Sequence, residues 1–145
     1  MSFLDSLNIS GSGLTAQKYR MEIVAQNLAN AETTRTAAGG PYRRKLAVLS
    51  EIGSTGTFQD ALRASSGSAT GGVRVASVLD DTDDFKVEYD PTHPDANADG
   101  YVQLPNVNTT EEMVDMMSAS RLYEANITAF NAMKEMASKA LEIGK

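Results

Sequence analysis

Regular structure in this chain is concentrated at its two ends. Residues Ser12 to Glu32 and Asn108 to Lys145 both carry apolar side chains at helical spacing, and everything less regular lies between them. Helices placed this way must bury their apolar stripes against each other or against neighbouring chains. The C-terminal pattern is the stronger. Counting in sevens from Met113 gives Met113, Ser120, Ile127, Lys134 and Leu141; counting from Met116 gives Met116, Tyr123, Phe130, Ala137 and Gly144. These read as the a and d positions of a heptad with polar interruptions. Thr109 and Glu112 have capping-box spacing, while Glu111, Glu112 and Asp115 near the start and Lys139 and Lys145 near the end complement the helix dipole. Such a helix is on the order of 50 Å long. That exceeds what a body of this size can cover, so part of the stripe is expected to need a partner.

The N-terminal pattern is weaker. Leu7, Leu14, Met21 and Leu28 recur every seven residues, joined by Leu4, Val24 and Ala31, with Gly11 and Gly13 as interruptions. Each glycine costs about 1 kcal/mol relative to alanine inside a helix. The fold expected is α+β: long terminal helices paired as an antiparallel coiled coil around a small β-rich insert. Its divisions are 1–36 for the first helix, 37–107 for the insert and 108–145 for the last helix. In the seam, Leu7, Leu14, Met21 and Leu28 would meet Met116, Tyr123, Ile127 and Phe130. Two forms of the pair are open, an ordinary core hairpin or helices that fray alone and order on assembly.

Between the ends the character changes. Ala37 to Pro41 is a breaker cluster. Tyr42 to Leu49, Val73 to Leu79, Phe85 to Tyr89 and Tyr101 to Leu104 read as short strands. Asp80 to Asp84 reads as the turn between the second and third. Ser50 to Gly72 is rich in Gly, Ser and Thr and reads as a flexible loop, with a short helical turn near Phe58 to Ala64.

Composition favours binding over catalysis. The chain has 145 residues, a net charge of −6 and no cysteine. The negative charge disfavours nonspecific binding to nucleic acid or anionic membrane, and the absent thiols exclude disulfides and thiolate metal sites. No stretch approaches a membrane span. The start, MSFLDSLN, lacks a basic and apolar signal region, so no cleaved secretion signal is expected. DANADG (Asp95 to Gly100) resembles the first half of a calcium loop, but its twelfth position is Asn106 in place of a bidentate Glu, so an Asx-stabilised turn is expected. His93 stands between Pro91 and Pro94 with no second histidine in the chain. No nucleophile–base arrangement is visible. The reading is no enzyme, no cofactor and no metal.

The stretch LTAQKYRMEIVAQNLANAETTRTAAGGPYRRK, Leu14 to Lys45, resembles the N-terminal signature of bacterial flagellar rod proteins. The stretch from Asp99 to Lys145 is similar to their C-terminal signature. GGPYRRK, DPTHPDANADGYVQLPNVN and the KALEIGK ending most resemble the proximal-rod (FlgC) family, although Leu122 stands where that pattern leads one to expect a small residue. The resemblance implies a subunit exported through the flagellar type III apparatus without signal cleavage. It implies assembly in the periplasm, with copies of itself and other rod proteins, into a helical tube that transmits motor torque to the hook. The terminal helices would face the channel and the β module would face outward. Alternatives are another axial rod or hook-type subunit, or a cytoplasmic coiled-coil adaptor.

The resemblance also weights the contact residues. Asn27 and Asn30 are poor mid-helix residues unless their amides bond something specific, and the family reading is a neighbouring subunit's backbone. Asn126 and Asn131 carry the same argument. Arg121 and Glu124 are expected to bridge subunits. Arg43, Arg44 and Lys45 form the one basic run, expected to contact the acidic insert of another subunit; residues 51 to 108 carry ten acidic and three basic side chains. The alternative for the run is a solvated strand end.

Overall fold

A computed structural model describes residues 3–52, 58, 62 and 71–143. It has two long helices, α1 (Phe3–Ala29) and α2 (Thr109–Ile143), with four strands between them. Strands β1 (Lys45–Glu51) and β2 (Val73–Asp80) form one antiparallel ribbon; β3 (Lys86–Tyr89) and β4 (Tyr101–Leu104) form another. The architecture is α+β, as the terminal helical patterns imply. The helical turn expected at Phe58 to Ala64 falls largely outside the described residues.

The helices run antiparallel. Going up α1, Gly13 lies beside Asn126, Arg20 bonds Asp115 at 2.9 Å and Asn27 bonds Glu112 at 3.1 Å. Helix α1 begins well before Ser12 and continues through both glycines. Gly13 allows close approach, since a Cβ there would lie 3.2 Å from Asn126 Nδ2 and that side chain would have to give way. Packing therefore outweighs the intrinsic helix cost of glycine.

Along α2 the positions that are not exposed are Glu112, Asp115, Met116, Ala119, Ser120, Tyr123, Asn126, Phe130, Met133 and Ala137. Apart from Asp115 and Ser120, which flank the row, their spacing alternates between four and three residues, a heptad seam. One half of it, through Met116, Tyr123 and Phe130, follows the expected series. The other half runs one residue before the series counted from Met113. Met113, Ile127 and Leu141 face outward, at 53%, 36% and 76% exposure. The correction has a physical reason. Glu112, Ala119 and Asn126 occupy the seam, and a count of large apolar residues passes over them.

The expected α1 series, Leu7, Leu14, Met21 and Leu28, is half-buried, while Ala16, Ile23, Val24 and Asn27 are the most buried positions of that helix. Helix α1 is the shared element. Among the described residues α2 packs on it and the β1–β2 ribbon packs on it, but the ribbon and α2 do not pack on each other. The base of the ribbon is pinned to α1 by Ser12, whose hydroxyl donates to Ile9 O at 2.7 Å and accepts from Val73 N at 3.0 Å.

The strand boundaries lie close to those read from alternation, and the structure adds the pairing. Asp80 to Asp84 does not close a hairpin between β2 and β3; each pairs elsewhere, β2 with β1 and β3 with β4. The β3–β4 connection is built from side chains. Asn97 Oδ1 accepts from Asp99 N (3.0 Å) and Tyr101 N (2.9 Å), the Asx turn expected of DANADG. At the end of that turn Gly100 has φ +81°, and a Cβ there would come within 2.9 Å of the Tyr89 ring.

Candidate functional site

The chain's main polar cluster is a latch where the end of α1, the start of β1 and the first turn of α2 meet. Asn27 and Glu112 are each 1% exposed. Asn27 Nδ2 donates to Lys45 O (2.9 Å) and to Glu112 Oε2 (3.1 Å), while its Oδ1 accepts from Lys45 N (2.9 Å) and Tyr42 OH (3.0 Å). The other Glu112 oxygen accepts from Arg44 Nε at 2.5 Å. Arg44 also reaches Asp81 at 3.5 Å and Asp115 at 3.7 Å, and Arg44 N donates to Asn106 Oδ1 at 2.8 Å. A buried carboxylate is tolerated only when paired and hydrogen-bonded, and Glu112 has both.

Electrostatics follow from the same geometry. Burial works against the Arg44 charge, but the hydrogen bond and charge of Glu112, and then those of Asp81, outweigh it and hold the guanidinium above its ordinary range. Burial, with the charges of Asp80 and Glu112 behind it, pushes the Tyr42 phenol above its usual value of 10.0. These groups satisfy one another, so the arrangement fixes geometry.

Several expected subunit contacts are therefore occupied within the chain. Asn27 has no hydrogen-bonding capacity left for a neighbour's backbone. Asn30 closes the end of α1, donating to Gln26 O at 2.8 Å and accepting from Thr33 Oγ1 at 3.2 Å. Arg43 donates to Asp81 O (2.9 Å) and Asp83 O (3.3 Å) and lies 4.3 Å over the Phe85 ring. Arg43, through backbone carbonyls, and Arg44, through the Asp81 carboxylate, thus bind the acidic turn of their own insert. Asn126 is half-buried against Gly13. Arg121, Glu124 and Asn131 are exposed, and among the described residues no ion pair joins Arg121 to Glu124.

The α2 cap differs too. Asn108 Oδ1 accepts from Thr110 N at 3.2 Å, so Asn108 is the N-cap, and the Glu112 side chain is turned to the latch. Sequence reading missed Tyr42, Asn106 and the structural role of Glu112. The available signal was phase, since Glu112 stands seven residues before Ala119.

Apolar side chains remain outside on both flanks of the α2 seam. Met113, Ile127 and Leu141 lie one position after the Glu112 series; Leu122 and Met136 lie one position before the Tyr123 series. Helix α1 covers the middle of a wider apolar arc.

Two family models match. "Flagella basal body rod protein" matches residues 7–35, and "Flagellar basal body rod FlgEFG protein C-terminal" matches residues 98–143. These ranges hold most of α1 and all of α2. The chain is 51% identical to the flagellar basal-body rod protein FlgC of Bacillus subtilis over all of both chains. It is 45% identical to that of Borreliella burgdorferi over 99% of this chain and 98% of the relative. It is 43% identical to that of Escherichia coli O157:H7 over all of both. With both terminal helices matched and the identity running end to end, the chain belongs to the FlgC family of flagellar basal-body rod proteins.

Proposed function

We propose that this chain is a structural subunit of the flagellar basal-body rod, assembling with copies of itself and other rod proteins into a helical tube that carries motor torque to the hook. The observation that carries this reading is α2, whose apolar flanks extend on both sides of the surface that α1 covers. Two flanks on one helix suit a subunit held between lateral neighbours. The latch suits the same role, because torque has to pass from the helices into the insert without the joint slipping. The work is mechanical and needs neither catalysis nor a cofactor. None of the described helices is long and apolar enough to cross a membrane. In this reading the subunit reaches the periplasm through the flagellar type III apparatus with its N-terminus uncleaved.

Electron microscopy of basal bodies from cells lacking only this chain tests the proposal. Retention of the membrane ring with loss of rod and hook is the expected result. An intact rod would refute it.

A further inference from the structure

Among the described residues one edge of β1 has no strand partner, and that edge faces a cleft. Strand β1 pairs with β2 alone among the described residues. In an antiparallel ladder, alternate residues turn both N–H and C=O away from the partner. Lys45 is such a residue, because both its groups are taken by the Asn27 amide. Ala47, two residues on, has the same phase, so its N–H and C=O also point outward. The cleft there has α1 as its floor (Ile23, Val24), β1 as one wall (Leu46, Ala47, Leu49) and Arg20 and Asp115 opposite, with a volume of about 170 Å³. A second hollow of about 350 Å³, lined by Arg44, Glu111, Val114 and Asp115, shares Arg44 and Asp115 with it.

We infer that this cleft accepts an extended segment of another rod subunit, added as a third strand alongside β1. The inference rests on the rod reading above. Three observations favour an extended chain over a helix or a small ligand. The outward Ala47 groups are a template for backbone pairing. The Asn27 amide already pairs with Lys45 as a strand residue would, so an incoming backbone continues an existing row. A two-stranded ribbon is marginal alone and gains from a third strand. The inner cleft holds an aliphatic side chain but no folded element. Its charged wall carries both signs, Arg20 on Asp115 at 2.9 Å, so an uncharged apolar segment fits best. The register shift between Val48 and Leu49 leaves Ala76 of β2 unpaired, so the bulge lies on β2 and the outward phase of β1 runs on from Ala47 to Leu49.

Ala47→Pro removes one outward N–H while leaving the ladder to β2 intact, a position where proline is tolerated in an edge strand. The purified variant is expected to melt with the parent chain, yet to lose the swimming halo when it is the sole copy in cells. A photo-crosslinking amino acid at position 47, incorporated in motile cells, is expected to give an adduct with another rod subunit in isolated basal bodies. If Ala47→Pro also lowers the melting temperature, the adduct decides. Rods that contain the substituted chain but show no adduct at position 47 would overturn the inference and leave the rod reading standing, as would full motility with Ala47→Pro. Absence of the chain from basal bodies would overturn both.

Discussion

Asn27 offers two N–H donors and an oxygen with two lone pairs, and all of that capacity is used inside the chain. Asn27→Ala leaves Lys45 N–H, Lys45 C=O and one Glu112 oxygen without this partner, so roughly 3–9 kcal/mol of folding stability should be lost at about one to three per orphaned group. Urea unfolding of the purified chain measures it; a loss below about 1 kcal/mol would mean that water replaces the amide. Tyr42→Phe removes one bond from an oxygen that keeps Lys45 N, and should cost only about 1 kcal/mol. The same phenol sets a pH dependence. Its folded value is raised above 10.0, so on alkalinisation the unfolded chain loses the proton first. Its stabilising contribution is present below pH 10 and disappears as pH rises through the folded value. The difference in urea midpoint between parent and Tyr42→Phe should therefore shrink above pH 10. Sequence reading identified Asn27 as needing specific partners, because asparagine disfavours mid-helix positions. It could not say which partners. Those partners lie 15 to 85 residues away in sequence and are set only by the helices' register.

Heptad counting found α2 and half of its seam, then placed the other half one residue late. Counts of that kind weigh apolarity, while the seam at Glu112 and Asn126 is filled by polar residues that have special neighbours, an arginine–asparagine latch and a glycine. The turn joining β3 to β4 was more legible, since an Asx turn needs only its local residues. It makes its own prediction. Hydrogen bonds from the Thr92 hydroxyl and backbone hold the exposed Asp90 carboxyl below its usual 3.8. A lowered carboxylate contributes order above its unfolded value and loses it as pH falls through the folded one. Amide spectra should show Thr92 N–H shifting below pH 3.8, in step with Asp90. A Thr92 signal that stays fixed down to pH 2 would remove this account of the turn.

At the scale of the whole molecule, α1 is a shared floor, with α2 and the ribbon packed on it as the two sides of a cleft and the latch joining them at one end. Strand partners could not be read from alternation, which gives phase along a strand but no identity across it. The exposed flanks of α2 have a similar history. The series from Met113 is periodic and apolar, but in the single chain it faces outward, which is where an assembling subunit would place its contacts. Ile127 separates these roles. At 36% exposure and outside the seam, Ile127→Asp should lower folding stability by only about 1–2 kcal/mol. In an assembled rod the same carboxylate would be buried without a partner, at a cost of about 3–5 kcal/mol per copy. A variant that folds and is secreted, yet fails to enter basal bodies, would place this flank at a subunit boundary. If the variant unfolds, Ile127 belongs to the intrachain core after all. Normal rods built from a folded variant would mean that solvent covers this flank and that lateral contact uses the Leu122 side alone.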